Sequence, residues 1–512
     1  MNKKTVIVTD QFGVEKAVPL VQAIEEVRRR AVHNCDVICI ERAESIHRQA
    51  ANTIEANNLM AEMRLARYNV EDAQFYLNMS LAQIEKNSDA SKLVRAHVFD
   101  IQARLHHANS NYKDALQCIK KAMDLTGSSQ YYSFAARLSA DLGREDEALT
   151  LYQRAQRVNK YDPYPLINKT QLRGVLLSSK EEKITRKLLE ETNDFDIKHQ
   201  LYFSLARHYE RNKQLDLQFD ALHAGNAIKR KLIGFPGGEK EFKFGSKIVD
   251  TYSSGALRSL LNNDSNEGGN LIFVVGFPRS GSTLTEQIIC KHSTVFGVGE
   301  SHMLSAAYLA VTQKKGLVHE DILKLSSEDI NRIRDVYRES LSKLGAYQVV
   351  VDKSLVNYYL LGLLKIVFPK AKIVHVYKNP IDNCLGCYKQ IFAGRDWPFI
   401  YSLQDLQYGY RTYHMLMKFW DTLFPGEILH LSYETLVLDF ENTVRKLLKY
   451  CDLEWEDACL KFYAQDRAVK TASASQVRQG LFTDAIGRWR IYEKHLEPVL
   501  SLADLEEWPP IE

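Results

Sequence analysis

A chain of 512 residues exceeds one ordinary domain, and 45% hydrophobic with 26% charged residues suits a folded protein, not a disordered one. Lys and Arg (67) nearly balance Asp and Glu (64), so the net charge of +3 supplies no whole-chain field for nucleic acid or a membrane surface. No stretch approaches the roughly 18 uninterrupted apolar residues of a membrane span.

The first 34 residues read as an N-terminal segment whose opening apolar run stops at Asp10, too early for a secretory signal. A cytoplasmic protein is expected. The eight cysteines agree with a reducing compartment. Cys35, Cys39, Cys118 and Cys290 sit in periodic apolar contexts, while Cys384 and Cys387, one helical turn apart, read as packing residues and not as a redox or zinc pair.

Residues 35–235 repeat. Ala103-Arg104-Leu105 recurs as Ala136-Arg137-Leu138, and Ala115-Leu116 with Ala122 recurs as Ala148-Leu149 with Ala155, each at an offset of 33 residues. That offset is close to the roughly 34-residue period of tetratricopeptide helix pairs. Small alanines let paired helices approach, Tyr112, Ile119 and Tyr152 fill the space beside them, and Gly143 marks a turn. Looser copies lie at Leu65–Ala73 and from Leu205 to about Lys229. A helical solenoid of tetratricopeptide type is predicted, and its job is binding a protein partner or acceptor.

Residues 236–270 read as a connecting helix and a linker, the latter the polar stretch LNNDSNEGGN at 261–270, which has too little apolar surface to order itself. From 271 to 505 the pattern changes. Leu271–Val275, Tyr347–Val351, Lys372–Tyr377 and Glu427–Leu431 have strand length and strand composition, and helical spacing follows them at Leu284–Ile289 and Phe440–Cys451. Strands alternating with helices predict a phosphate-loop-like α/β domain with a parallel sheet covered by helices.

Between the first such strand and its helix lies GFPRSGST, residues 276–283. The nucleotide-triphosphate loop is G-x-x-x-x-G-K-[ST], and here Ser282 stands at the lysine position. The backbone amides from Ser280 through Gly281, Ser282 and Thr283 to Leu284 open a helix and suit an anion, with Arg279 adding a planar fork. A phosphoryl group in transfer keeps its charge and commonly needs metal, whereas a sulfuryl group in flight is near-neutral SO₃, so a loop without lysine fits the second better.

GFPRSGSTLTEQII, the loop FGVGE at 296–300, VDKSLVNYYLLGLL at 351–364, IVHVYKNPIDNCLGCY at 373–388, SYETLV at 432–437 and TASASQVRQGLFTDAIGRWRIYEKHL at 471–496 together resemble the tetratricopeptide-repeat sulfotransferase family, relatives of the tyrosylprotein sulfotransferases. The resemblance implies a sulfuryl donor, 3′-phosphoadenosine 5′-phosphosulfate (PAPS), and an acceptor hydroxyl, with no metal required. It implies Glu300 as general base, Lys353 as stabiliser of the leaving oxygen, and Arg279 as a ligand of the sulfuryl group and of the donor loop 279–284. Ser473 and Arg488 match residues closing over the nucleotide phosphates, and Tyr433 matches a tyrosine beside the nucleotide. On the residues alone, Glu300 also suits a solvated loop or a helix cap, and Lys353 a strand-end ion pair with Asp352.

The family grips the donor's 3′-phosphate with an arginine and, eight residues on, a serine; Lys378 and Gly386 occupy those positions here. Arg478, Arg488 and Gln390 are candidates to compensate. The expected activity is sulfuryl transfer to a polypeptide or carrier-bound hydroxyl, the repeats docking the acceptor or a partner protein. The alternative is a repeat scaffold carrying a nucleotide-binding domain of weak or no activity, and a phosphoryl-transfer enzyme stands third.

Overall fold

The structure, a computed structural model, describes residues 5–505 apart from 10–14, 34–36, 68, 87–89, 262–264, 393–396 and 463–484. The chain forms two compact units, Met1–Thr192 and Asn193–Glu512. The sequence reading draws its line at 235; the helix pair within residues 195–233 falls in the second unit.

The N-terminal unit opens on a hairpin that the sequence reading did not foresee, β1 (Thr5–Thr9) antiparallel to β2 (Glu15–Pro19). Helices α1 (Leu20–His33), α2 (Val37–Ala50), α3 (Ile54–Ala66), α4 (Val70–Lys86), α5 (Lys92–Ala108), α6 (Tyr112–Thr126), α7 (Ser129–Asp141), α8 (Glu145–Val158), α9 (Pro163–Lys169) and α10 (Ser179–Glu191) follow. Three consecutive pairs, α3 with α4, α5 with α6 and α7 with α8, pack together. The recurrent alanines explain the pairing: Ala103, Ala115, Ala122, Ala136, Ala148 and Ala155 are all fully buried, with Ile119 and Tyr152 packed among them. Gly143, at φ 78°, reverses the chain between α7 and α8.

In the C-terminal unit come α11 (Phe195–Arg211), α12 (Leu215–Ile233) and α13 (Gly238–Ser253), then the sheet domain. Its elements are β3 (Leu271–Gly276), α14 (Ser282–Ile289), β4 (Val295–Gly299), α15 (Met303–Thr312), α16 (His319–Ile322), α17 (Ser327–Ser342), β5 (Val349–Asp352), α18 (Leu361–Val367), β6 (Lys372–Tyr377), α19 (Pro380–Tyr388), α20 (Leu403–Leu423), β7 (Ile428–Ser432), α21 (Tyr433–Leu438) and α22 (Phe440–Tyr450). The five strands run parallel in the order β4-β5-β3-β6-β7. Thus the N-terminal region is helical and the C-terminal region is a parallel sheet covered by helices. FGVGE, read above as a loop, supplies most of strand β4, because its short apolar run pairs with β5 at the sheet edge.

Part of the expected linker is anchored. Glu267 accepts from Arg338 and lies 3.6 Å from Arg334, both on α17, and a Cβ on Gly268 would come within 2.6 Å of Phe368. The surface that orders this polar stretch comes from its neighbours, not from its own side chains.

One face of the sheet is covered by α14 and α22 through Val274, Ile288, Val376, Leu431, Val444 and Leu447. On the other, Phe277 is ringed by Trp397, Phe399, Tyr410 and Tyr413 with centroid distances of 5.0 to 6.2 Å. Helix α20 reaches this cluster because Gly409 leaves room for the Phe399 ring; a Cβ there would run into it. Gly409→Ala is therefore expected to destabilise the C-terminal unit by about 1–2 kcal/mol, overpacking outweighing the better helix propensity of alanine. Urea unfolding followed by tryptophan fluorescence measures this, since all five tryptophans lie in this unit; an unchanged midpoint would contradict it.

Candidate active site

The loop 276–283 leaves the carboxyl end of the central strand β3, between the ends of β5 and β6, where parallel α/β sheets bind ligands. Two glycines shape it. A Cβ on Gly276 would run into the carbonyl oxygen of Val376 on β6, so only glycine lets the strand pass its neighbour. Gly281, at φ 103°, lies under the Tyr433 ring, where a Cβ would sit 2.6 Å from Cδ2.

Arg279 takes the left-handed conformation at φ 67°, which turns its side chain towards α19. Burial pushes its guanidinium below the usual arginine range, against the opposing pull of Cys387 and Tyr433. The loop carbonyl of Pro278 accepts from Asn383 Nδ2 at 2.6 Å and from Cys387 Sγ at 3.1 Å. Cys387 is thus a buried thiol that docks the loop. Ser280, Ser282 and Thr283 are buried at the start of α14, whereas the Leu284 side chain belongs to the sheet core and offers only its amide to the loop. The Ser280 hydroxyl is fully buried with no hydrogen-bond partner among the described residues. A buried unpaired hydroxyl beside a helix N-terminus fits a loop that receives an anion.

Beside β3, the parallel pairing of β4 with β5 brings together two residues 53 positions apart. Lys353 N donates to Gly299 O at 3.0 Å, and Lys353 Nζ donates to Glu300 Oε1 at 2.6 Å. Lys353 is fully buried and also lies 3.9 Å from Glu286 on α14, while the Glu300 side chain is 47% exposed. The strand-end pair of Asp352 with Lys353 is not formed. Asp352 Oδ2 instead accepts from Ser301 Oγ at 2.7 Å and Tyr337 OH at 3.0 Å, and Oδ1 from Ser354 N at 3.0 Å. Burial raises the Asp352 carboxyl, opposed by those bonds. Adjacent residues in a strand point to opposite faces, which separates Asp352 from Lys353.

On the other side of β3, α19 starts at once after β6: Pro380 occupies its first turn and Asn379 caps it, accepting from Ile381 N and Asp382 N at 3.1 Å. Lys378 is buried with Nζ 4.8 Å from the Tyr433 ring centroid, and Glu434 accepts from Asn379 N at 2.9 Å. Burial pushes the Lys378 ammonium down; Asp382 and Glu434 oppose this and Arg279 reinforces it. Gly386 faces Arg279, whose Cβ would lie 3.4 Å from a Cβ placed there.

The C-terminal segment closes on the same helix. Asp382 accepts from Gly487 N at 2.6 Å and Trp489 N at 2.8 Å, holding Arg488 between them, and Arg488 donates to Glu210 Oε1 on α11 at 2.7 Å. Ser473 and Arg478 lie outside the described residues. The geometry brings Arg279, Ser280, Gly281, Ser282, Thr283, Lys378, Gly386 and Tyr433 around one end of the sheet, with Arg488 beyond α19 and Glu300 and Lys353 across β3.

Residues 271–457 match the model of the Sulfotransferase family. The C-terminal half carries a sulfotransferase-family domain. The chain is 31% identical over 310 residues to an uncharacterized protein of Aquifex aeolicus (strain VF5), which covers 59% of this chain and 40% of that one. It is 24% identical over 253 residues to a protein-tyrosine sulfotransferase of Drosophila melanogaster, with 43% and 46% covered. The chain spans less than half the length of these curated relatives. Solved structures similar to it include a sulfotransferase domain from the curacin biosynthetic pathway, with TM-score 0.33 and 16% identity over 47% of this chain and 99% of that one. A mouse sulfotransferase complexed with PAP aligns with TM-score 0.30 and 14% identity over 50% and 91%.

Within the sulfotransferase-family domain, sequence reasoning missed Asp382, Glu286 and Lys389. The spacing of Asp382, Gly386 and Lys389 puts them on one face of α19 and its last turn, and was readable; Glu286, on α14, gave no signal, because its neighbour Lys353 comes from the end of β5, 67 positions away. Tyr413 was also missed. Its hydroxyl bonds His375 Nε2; His375 Nδ1 then meets His430 Nδ1 at 2.8 Å, and His430 Nε2 meets Asp421 at 3.0 Å. Asp382→Ala is expected to free the 487–489 segment. Hydrogen exchange at the amides of Gly487 and Trp489 should quicken about 10-fold or more, as expected for loss of bonds to a charged acceptor. Unchanged protection would show that other contacts hold the segment.

Proposed function

We propose that the protein transfers a sulfuryl group from PAPS to an acceptor hydroxyl. The observation that carries this reading is a phosphate loop without lysine, whose nearby ammonium, Lys353, comes instead from β5 and meets Glu300 at 2.6 Å. A side chain delivered from the neighbouring strand stands beside the reacting centre, not behind the phosphates. That suits a reaction in which charge grows on the bridging oxygen while the transferred group stays near neutral.

In this reading the amides from Arg279 to Leu284 and the hydroxyls of Ser280, Ser282 and Thr283 orient the phosphosulfate end of the donor, with Arg279 on the sulfuryl oxygens. Tyr433 and Lys378 flank the nucleotide, and Gly386, Ser473, Arg478 and Arg488 belong to its phosphate-binding wall. Glu300 removes the acceptor's proton as the acceptor oxygen bonds to sulfur; the bond from sulfur to the bridging oxygen breaks, and Lys353 steadies the oxygen left on the nucleotide. Lys353 must exchange part of its bond with Glu300 for the leaving oxygen, which its reach to both sides permits. The reaction needs no metal. The acceptor is a polypeptide or carrier-bound hydroxyl, and the helical repeats dock it or a partner protein. A cytoplasmic site of action accompanies this reading.

A scaffold with a weakly active domain is the second reading, favoured by Lys378 and Gly386 and by the engagement of Arg488 with Glu210. Glu300→Gln separates the two. Transfer from radiolabelled PAPS to extracted acceptors should fall about 10²–10⁴-fold while adenosine 3′,5′-bisphosphate binding holds within about twofold. Transfer at the parent rate removes Glu300 from the mechanism, and donor binding with no transfer by the parent chain favours the scaffold.

A further inference from the structure

The face of α19 that carries Asp382 and Gly386 continues to Lys389, the residue capping its last turn. Lys389 Nζ bonds Glu210 Oε1, the same oxygen that accepts from Arg488. Lys389 also feels the charge of Arg279, as Lys378 does. On α11, Arg211 adjoins Glu210 and Arg207 lies one turn before it, both within its electrostatic reach. Lys389 and Arg488 thus converge on one carboxylate oxygen, and Arg279 faces Gly386 on the same face of α19. Of the carboxylates nearby, Asp382 is committed to the backbone of Gly487 and Trp489 and Glu434 to that of Asn379. Glu210 Oε1 is the counter-charge shared by Lys389 and Arg488.

Burial and neighbouring charge both act on these groups. Burial raises Glu210, yet Lys389, Arg488 and Arg211 carry it below the usual carboxylate range. Burial lowers Lys389, and Arg488 and Arg279 lower it further against the pull of Glu210. Burial pushes Arg207 down to about 10. One carboxylate oxygen serves both Lys389 and Arg488, whereas a phosphate monoester brings nearly two charges and three acceptor oxygens to the same place.

We propose that Lys389 binds the 3′-phosphate of the donor at the wall left open by Gly386, and that the Glu210 carboxylate is the counter-ion this phosphate displaces. The inference rests on the donor named above. It answers the departure at positions 378 and 386: the fork and hydroxyl of the family pattern are replaced by an ammonium from the end of the same helix and by Arg488, which Glu210 releases. Glycine at 386 is not forced by space, since a Cβ there would meet Arg279 Cβ at an ordinary 3.4 Å; what it removes is the hydroxyl of the family pattern.

A purely structural triad fastening α11 to α19 would affect every nucleotide alike, which separates it from a phosphate site. Binding of adenosine 3′,5′-bisphosphate and of adenosine 5′-phosphate, which differ only in the 3′-phosphate, is measured by calorimetry on the full chain. Lys389→Met should weaken the bisphosphate about 10–100-fold and leave the monophosphate within about twofold. Glu210→Gln should act in the opposite sense, tightening the bisphosphate by about two- to five-fold with no effect on the monophosphate. If Lys389→Met does not fold, the Glu210→Gln arm decides alone. Equal changes for both nucleotides, or weaker bisphosphate binding by Glu210→Gln, overturn the proposal while leaving the donor assignment intact. A parent chain that binds no bisphosphate overturns both.

Discussion

The backbone of Gly276 passes the carbonyl of Val376 too closely for any side chain, and the rest of the site follows from that approach. It fixes the end of β3 against β6 and brings Pro278 under Asn383 and Cys387. Arg279 then enters the left-handed conformation with its side chain against Gly386. A phosphate loop in a parallel sheet is commonly discussed through its amides. Here its position depends equally on the helix that follows the neighbouring strand, which supplies both the donors that hold the loop and the wall that faces it.

Charge is distributed differently from a nucleotide-triphosphate site. In that arrangement the lysine belongs to the loop and follows wherever the loop goes. Here Lys353 arrives on β5 and is fully buried, tied to Glu300 on one side and near Glu286 on the other. Removing either carboxylate would leave a buried ammonium with less compensation, so the three residues act as a set. Asp352 is kept out of that set by the alternation of the strand and is used instead to brace Ser301, Ser354 and Tyr337.

Much of this was legible before the structure. The four apolar runs and the glycine pattern of 276–283 foretold a parallel α/β domain, since continuous apolar strands occur where both faces are covered. The alanine recurrence foretold paired helices. Strand β4 escaped notice because FGVGE has two glycines in five residues and gains its strand character from pairing with β5. The hairpin of β1 and β2 escaped because Glu15–Pro19 is mostly exposed and shows no buried alternation. Glu210 could not have been found at all: its partners lie 179 and 278 positions away, and no local pattern encodes such a meeting. Lys389 was within reach, since it shares a helical face with residues already singled out.

The strand order β4-β5-β3-β6-β7 has an implication for how such a domain diversifies. Glu300 and Lys353 directly follow β4 and β5 on one side of β3, and Lys378, Gly386 and Tyr433 follow strands on the other. The loop after β3 is the seam between these two half-sites. Insertions after β4 or β5 can therefore remodel one half of the site without disturbing the registers of β6 and β7, which hold the other half.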